Sequence, residues 1–212
     1  MLIPYRTYVR ILAPALTIIL TLALSVPTSY AATKCVVGPG VTQTATTVTG
    51  TSNNDTIDCG GAQPAKTVKG MGGNDTITGT AFADTIYGGR GNDTITGAAG
   101  YDNLFGARGH DTITGSAGND SLGGGAGQDT LTGSGGSDQI NGRLSNDILR
   151  GGVGNDTIHG GRGIDILNGD AGGDKLRGPS NDDRVDSLNG GAGGDNCQGP
   201  APDGDTHVEC NP

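Results

Sequence analysis

The chain has no tryptophan, two phenylalanines and five tyrosines in 212 residues. Glutamate is almost missing: of 22 acidic residues, Glu209 alone is not aspartate. Leu, Ile, Val and Phe supply only 28 of the 181 residues after Ala31, a share near that of chains too poor in apolar side chains to build an ordinary core. Helical surfaces draw on Glu, whereas Asp favours turns and chelation. These shortages exclude a helical bundle and an ordinary α/β enzyme. Glycine is abundant instead, at 42 residues.

Long hydrophobic runs are also scarce. The single one, residues 11–26, follows Arg6 and Arg10, contains Pro14, and falls short of the roughly 20 residues a spanning helix needs. Ser29-Tyr30-Ala31 then fits a small-x-small cleavage pattern. The expectation is a secretory signal peptide over residues 1–31, cut after Ala31, and a secreted, extracellular chain with no membrane span. The exported part carries 11 Lys and Arg against 22 Asp and Glu, a net charge of −11, which excludes a basic nucleic-acid footprint.

Order, not composition, is what this sequence has. From Gly61 to Arg177 it divides without gaps into nine-residue frames that each begin with Gly. The sixth position is Lys66 and then always Asp: Asp75, Asp84, Asp93, Asp102, Asp111, Asp120, Asp129, Asp138, Asp147, Asp156, Asp165 and Asp174. The eighth is always aliphatic, from Val68, Ile77 and Ile86 through to Leu167 and Leu176. The fourth is Gly in most frames. A self-similar period of this kind is the mark of a solenoid. The first six residues of a frame read as a turn, with Gly supplying positive φ. The last three read as a short strand with the middle side chain facing inward.

Residues 88–96, 151–159 and 160–168 match G-G-x-G-x-D-x-U-x. In this the chain resembles the calcium-binding RTX, or haemolysin-type, nonapeptide repeats. The resemblance implies an all-β parallel β-roll, a two-sheet solenoid in which two nonapeptides make one coil and frames i and i+2 stack. It also implies that Ca²⁺ lies between same-side turns, held by carbonyls and Asp carboxylates. Hard oxygen ligands suit that ion. Six to ten ions are expected, with folding coupled to their binding.

Several positions depart from the pattern. Phe82 and Ser145 occupy fourth positions and should weaken their turns. Lys66 and Thr46 stand where Asp is expected, and Asp55 alone marks frame 50–58, so residues 32–69 read as an N-terminal cap with little calcium. After Arg177 two registers fit: Asp183 with Val185, or Asp186 with Leu188 after a three-residue insertion. Frame 190–198 restores the pattern with Asp195 and an inward Cys197. The candidate calcium ligands are thus the twelve Asp from Asp75 to Asp174, together with Asp183 and Asp195. The roll covers residues 70–198 and a C-terminal cap residues 199–212.

Cys35, Cys59, Cys197 and Cys210 flank the repeats. Three disulfide pairings are possible, of which Cys35–Cys59 with Cys197–Cys210 would cap each end; Cys197, His207 and Cys210 could alternatively hold a metal. Asp203, Asp205 and Glu209 could hold one more ion. His110, His159 and His207 occupy unrelated frame positions, and no catalytic motif is present, so no enzyme is expected.

Stacking i on i+2 also sorts the outward residues. Thr76/Thr78, Thr94/Thr96, Thr112/Thr114 and Thr130/Thr132 form two columns on one face, similar to the arrays of ice-binding solenoids, although Thr is also an ordinary outward strand residue. Tyr87 and Phe105 make an aromatic patch on the other face, a candidate contact for cell-surface or matrix polymers. A secreted structural or adhesive calcium module is the leading expectation and an ice binder the alternative.

Overall fold

A nonapeptide that sets one aliphatic side chain between two outward polar ones can bury only that one side chain. Its inward face is covered only when a second strand opposes it and copies stack above and below. A computed structural model of the chain describes residues 34–178, 186–198, 206–208 and 210, and all of these belong to one compact unit, Ala32–Pro212.

Successive frames alternate between two ten-stranded sheets. One, here the threonine sheet, contains Thr76–Thr78, Thr94–Ala99, Thr112–Ala117, Thr130–Gly135, Ile148–Val153 and Ile166–Ala171. The other, the aromatic sheet, contains Thr67–Gly72, Thr85–Arg90, Asn103–Arg108, Ser121–Ala126, Gln139–Leu144 and Thr157–Arg162. Neighbours within each of these sets are parallel and pair at an offset of 18 residues, as Thr94 with Thr112 and Phe105 with Gly123. The two-sheet roll and its i, i+2 stacking are therefore as the repeat implies.

The inward column of each sheet forms the core. Val48, Val68, Ile86, Leu104, Leu122, Ile140, Ile158 and Leu176 come from the aromatic sheet, and Ile57, Ile77, Ile95, Ile113, Leu131, Leu149, Leu167 and Leu188 from the threonine sheet; all are buried. One aliphatic per frame explains how so apolar-poor a chain still encloses a continuous core.

The strands are longer than the sequence suggests. In the middle of the roll each runs six residues, taking in the first three positions of the next frame, and it shortens to three residues near the ends. In these six-residue strands the first Gly of the next frame, such as Gly97, Gly115 and Gly133, lies in the strand and is buried. The turn proper is confined to positions four to six.

Both ends depart from the 18-residue step. At the N-terminal end Thr56 pairs with Thr76 and Thr47 with Thr67, an offset of 20, and two short antiparallel pairings close the sheets there. At the other end Ile166 pairs with Ser187 and Leu167 with Leu188. The ambiguous register is thus the one with the three-residue insertion, carrying Asp186 and Leu188; Asp183 lies outside the described residues. Disulfides join Cys35 to Cys59 and Cys197 to Cys210, the local pairing that caps both ends. With those thiols oxidised, Cys197 and Cys210 cannot serve as metal ligands. Among the described residues no helix is long and apolar enough to cross a membrane.

Candidate calcium ladders

Each Asp sits at the end of a turn, immediately before the strand it introduces. The turns leading into the threonine sheet carry Asp55, Asp75, Asp93, Asp111, Asp129, Asp147, Asp165 and Asp186. Those leading into the aromatic sheet carry Lys66, Asp84, Asp102, Asp120, Asp138, Asp156, Asp174 and Asp195. The two edges of the roll thus hold two ladders, and every Asp in them is at most 6% exposed.

One carboxylate oxygen is spent on the fold. Oδ1 of Asp93 accepts the backbone N–H of Asp75 at 2.8 Å, Oδ1 of Asp111 that of Asp93, and so on to Asp186, which accepts from Asp165. The other edge repeats the arrangement from Lys66 N–H on Asp84 to Asp174 N–H on Asp195. Each side chain therefore reaches back toward the N-terminal coil.

The second oxygen is different. Oδ2 of Asp75, Asp93, Asp102, Asp111, Asp120, Asp129, Asp138, Asp147, Asp156, Asp174 and Asp195 is buried with no hydrogen-bond donor. A buried, donorless carboxylate oxygen is costly unless a cation or a proton compensates it. The first Gly of each frame makes room for it: a Cβ on Gly88 would stand 2.3 Å from Asp93 Oδ2, and one on Gly106 2.1 Å from Asp111 Oδ2. That cradle accounts for a glycine that positive φ does not demand.

Without a cation the ladders resist ionisation. Burial is the first cause, and it raises Asp75, Asp93, Asp111, Asp129, Asp138 and Asp174 to about 6 and Asp102 and Asp147 to about 7. The N–H of the preceding coil works against it, and neighbouring carboxylates of the same ladder add to it at Asp75, Asp93, Asp102, Asp111, Asp138, Asp147 and Asp174. Asp120 and Asp156 are raised as well, again chiefly by burial.

Among the described residues no three His, Cys, Asp or Glu side chains converge on one point. The carboxylates are dealt out one per turn, so a cation here would draw its other ligands from turn carbonyls. These donors are all hard oxygens, which fit Ca²⁺ and not a thiophilic metal. When bound, the ion would supply the positive charge that the donorless Oδ2 atoms lack.

Two rungs solve the problem differently. Asp84 Oδ2 accepts the N–H of Thr80 at 2.5 Å and its hydroxyl at 2.9 Å. Asp55 Oδ2 accepts the N–H of Thr51 at 2.5 Å and its hydroxyl at 3.1 Å. The same hydroxyls accept the N–H of Phe82 and Asn53. Thr at position two, with no Gly at position four, is the sequence signal that reveals this lock, and frame-by-frame reading of position six alone misses it. Phe82 thus marks an altered turn. Ser145 does not: it takes φ +83°, close to that of Gly73 at +96° in the same position, and Asp147 keeps its donorless oxygen. At Lys66 the ammonium bonds the carbonyls of Ala45 and Gln63.

A ladder of a different kind, also missed from sequence, runs at position five. Asn74 Oδ1 accepts the N–H of Asn92, Asn92 Oδ1 that of His110, and His110 Nδ1 that of Gln128 at 2.8 Å. His110 is a rung of this ladder, in a position that Asn fills elsewhere. These side chains reach toward the C-terminal coil, opposite to the Asp ladder. Asp203, Asp205 and Glu209 lie outside the described residues.

The comparison with known proteins agrees with this geometry. The model of the RTX calcium-binding nonapeptide repeat matches residues 69–104, 102–131, 123–158, 132–167 and 159–190. No curated protein matches the chain significantly. The repeat matches run continuously over residues 69–190, more than half of the chain, and coincide with the stacked Asp ladders: the chain belongs to the RTX calcium-binding nonapeptide repeat family.

Proposed function

We propose that the chain is an exported, non-catalytic structural or adhesive module whose folding is driven by Ca²⁺ binding along both edges. One observation carries this reading: the eleven buried Asp Oδ2 atoms that have no donor. Asp75, Asp93, Asp102, Asp111, Asp120, Asp129, Asp138, Asp147, Asp156, Asp174 and Asp195 act as ligands, Asp165 and Asp186 continue the same edge, and the Thr80 lock removes Asp84 from the set. Stacked, these turns leave six gaps on one edge and five on the other, and about six to ten ions are expected in them. Export is supported by the leader-like residues 1–31 and by two disulfides, which form and persist in oxidising compartments. The paired Thr columns stop at Ile148 and Arg150 after four rungs, about 15 Å of flat array, which gives an ice-binding reading little surface.

The test is far-UV circular dichroism of the protein freed of its leader. In excess chelator the spectrum should be that of a disordered chain, and millimolar Ca²⁺ should convert it to β-structure, because ion binding and folding are linked. A chain already folded in chelator, or a titration that saturates at one or two ions, overturns the reading.

A further inference from the structure

Sorting the charges by sheet shows a segregation that net charge conceals. Fifteen of the 22 acidic residues occupy the ladder position and face the edges. None of the ten strands of the aromatic sheet contains an Asp or Glu, yet they carry Lys69, Arg90, Arg108, Arg143, Arg162, Lys175 and Arg177. All seven side chains are exposed, and none is in an ion pair with a carboxylate among the described residues. The threonine sheet has one basic strand residue, Arg150, and it is paired with Asp170 at 3.2 Å.

The same basic sheet has a relief suited to a ligand. One outward column runs Lys69, Tyr87, Phe105, Gly123, Asn141, His159 and Arg177, one residue per rung. Tyr87 and Phe105 stack with centroids 5.2 Å apart and planes 17° from parallel. Gly123 then leaves a notch beside Phe105, and Arg143 reaches back over it, its Nε 3.4 Å from where a Cβ on Gly123 would stand. A groove of about 250 Å³ lies here, lined by Phe105, Gly123, Gln139, Asn141, Arg143 and His159. Burial, and then the charge of Arg177, hold His159 below its ordinary pKa, so at neutral pH it offers one donor and one acceptor.

We propose that the aromatic sheet is the docking surface for an anionic polysaccharide, lying along the solenoid axis across the strands. These seven cations complement its carboxylate or sulfate groups, and the Phe105 face beside the notch receives the apolar face of a sugar ring. The amides of Gln139 and Asn141 and the imidazole of His159 match its hydroxyls. From Lys69 to Arg177 the column spans six rung steps, about 29 Å at the usual strand spacing, room for an extended chain of several sugars. A nucleic acid is disfavoured because bases are read by successive stacking platforms, and here the two aromatics stack on one another. The proposal rests on the calcium-loaded roll being the folded form: once the ladders are neutralised, seven carboxylates remain against eleven Lys and Arg after Ala31.

Binding is measured with the calcium-loaded protein by calorimetry or affinity electrophoresis. The probes are galacturonate oligomers and sulfated dextran, with neutral dextran and a single-stranded DNA oligonucleotide as comparators. Both anionic glycans should bind and neutral dextran should not, with affinity falling as salt rises. Arg143→Gln and Arg108→Gln should each weaken binding by about tenfold, as loss of a charge contact does, and Phe105→Ala should weaken it further, while Arg150→Gln on the other sheet leaves it unchanged. Circular dichroism of every variant in calcium verifies the fold. Equal loss with Arg150→Gln, tighter binding of the oligonucleotide, or no glycan binding by a folded protein overturns the proposal. A protein that stays unfolded in calcium instead overturns the calcium reading on which it rests.

Discussion

Asp93 and Asp111 lie one coil apart on the same edge, and Asp111 gives its two oxygens opposite roles: Oδ1 takes the N–H of Asp93 at 2.8 Å, while Oδ2 is buried with no donor. An amide can keep the first role and lose the second. Asp111→Asn should therefore lower thermal stability in calcium, by about 1–3 kcal/mol for a lost charged ligand contact, and remove at least one ion from the titration. In chelator the sign should reverse, because the substitution deletes a buried negative charge. Melts in saturating calcium read the first sign, and circular dichroism in chelator at about pH 5–6, where the metal-free roll is partly formed, reads the second; destabilisation under both conditions would contradict the assigned roles.

Acidity should act in opposite directions on the two forms. Ladder carboxylates raised from 3.8 to about 6 or 7 bind more protons in the folded chain than in the unfolded one. Their contribution to metal-free stability is therefore greatest below about pH 4 and is lost as pH climbs through 6 to 7. After calcium removal, β-structure should grow as pH falls from 8 toward 4. With calcium present, lowering pH through the same window should weaken ion binding, since protons compete for the same oxygens. Circular dichroism against pH, with and without calcium, measures both limbs.

The Thr80 lock should be indifferent to calcium. Thr80→Val removes a hydroxyl that bonds both oxygens of Asp84, and hydrogen bonds to a charged group contribute roughly 1.5–3 kcal/mol. The loss should be the same at every Ca²⁺ concentration that folds the roll, and the ion count should not fall. A drop in stoichiometry would mean that Asp84 is a ligand after all.

Glycines one residue apart in the sequence pattern should differ sharply. A Cβ on Gly91, at φ +121°, would stand 2.0 Å from the carbonyl oxygen of Gly73, whereas one on Gly72 would meet nothing closer than 3.8 Å. Gly91→Ala should cost at least about 3 kcal/mol or block folding, and Gly72→Ala should stay within about 0.5 kcal/mol. Melting temperatures of the two variants in calcium decide this.

The core and the ladders were legible because both obey one nine-residue period: Ile95, Leu104 and Ile113 fix the inward column, and Asp93, Asp102 and Asp111 the edge. The step after Arg177 was not, because an insertion leaves Asp183 and Asp186 equally good in pattern, and only the pairing of Leu167 with Leu188 selects the latter. Strand length was underread because a Gly at position one looks like a turn residue, yet Gly97 and Gly115 lie inside six-residue strands. The Thr80 lock and the His110 rung escaped because they sit at positions two and five, which vary between frames. Charge segregation was hidden by reading frames in series; sorting alternate frames would have put Arg90, Arg108 and Arg162 together.

The alternation of frames between two sheets makes the roll sensitive to parity. Gain or loss of 18 residues keeps every later side chain on its own face, so whole coils can be added or removed with both outer surfaces intact. Gain or loss of nine residues preserves the glycines, the aspartates and the inward aliphatics just as well, yet it carries every downstream residue to the opposite side. Removing one frame between Phe105 and Asn141 would still leave an unbroken ladder, but Asn141, His159 and Arg177 would then continue a threonine column while Arg150 and Asn168 followed Phe105. Length in this molecule is thus quantised twice, in single frames for folding and in pairs of frames for the faces it presents.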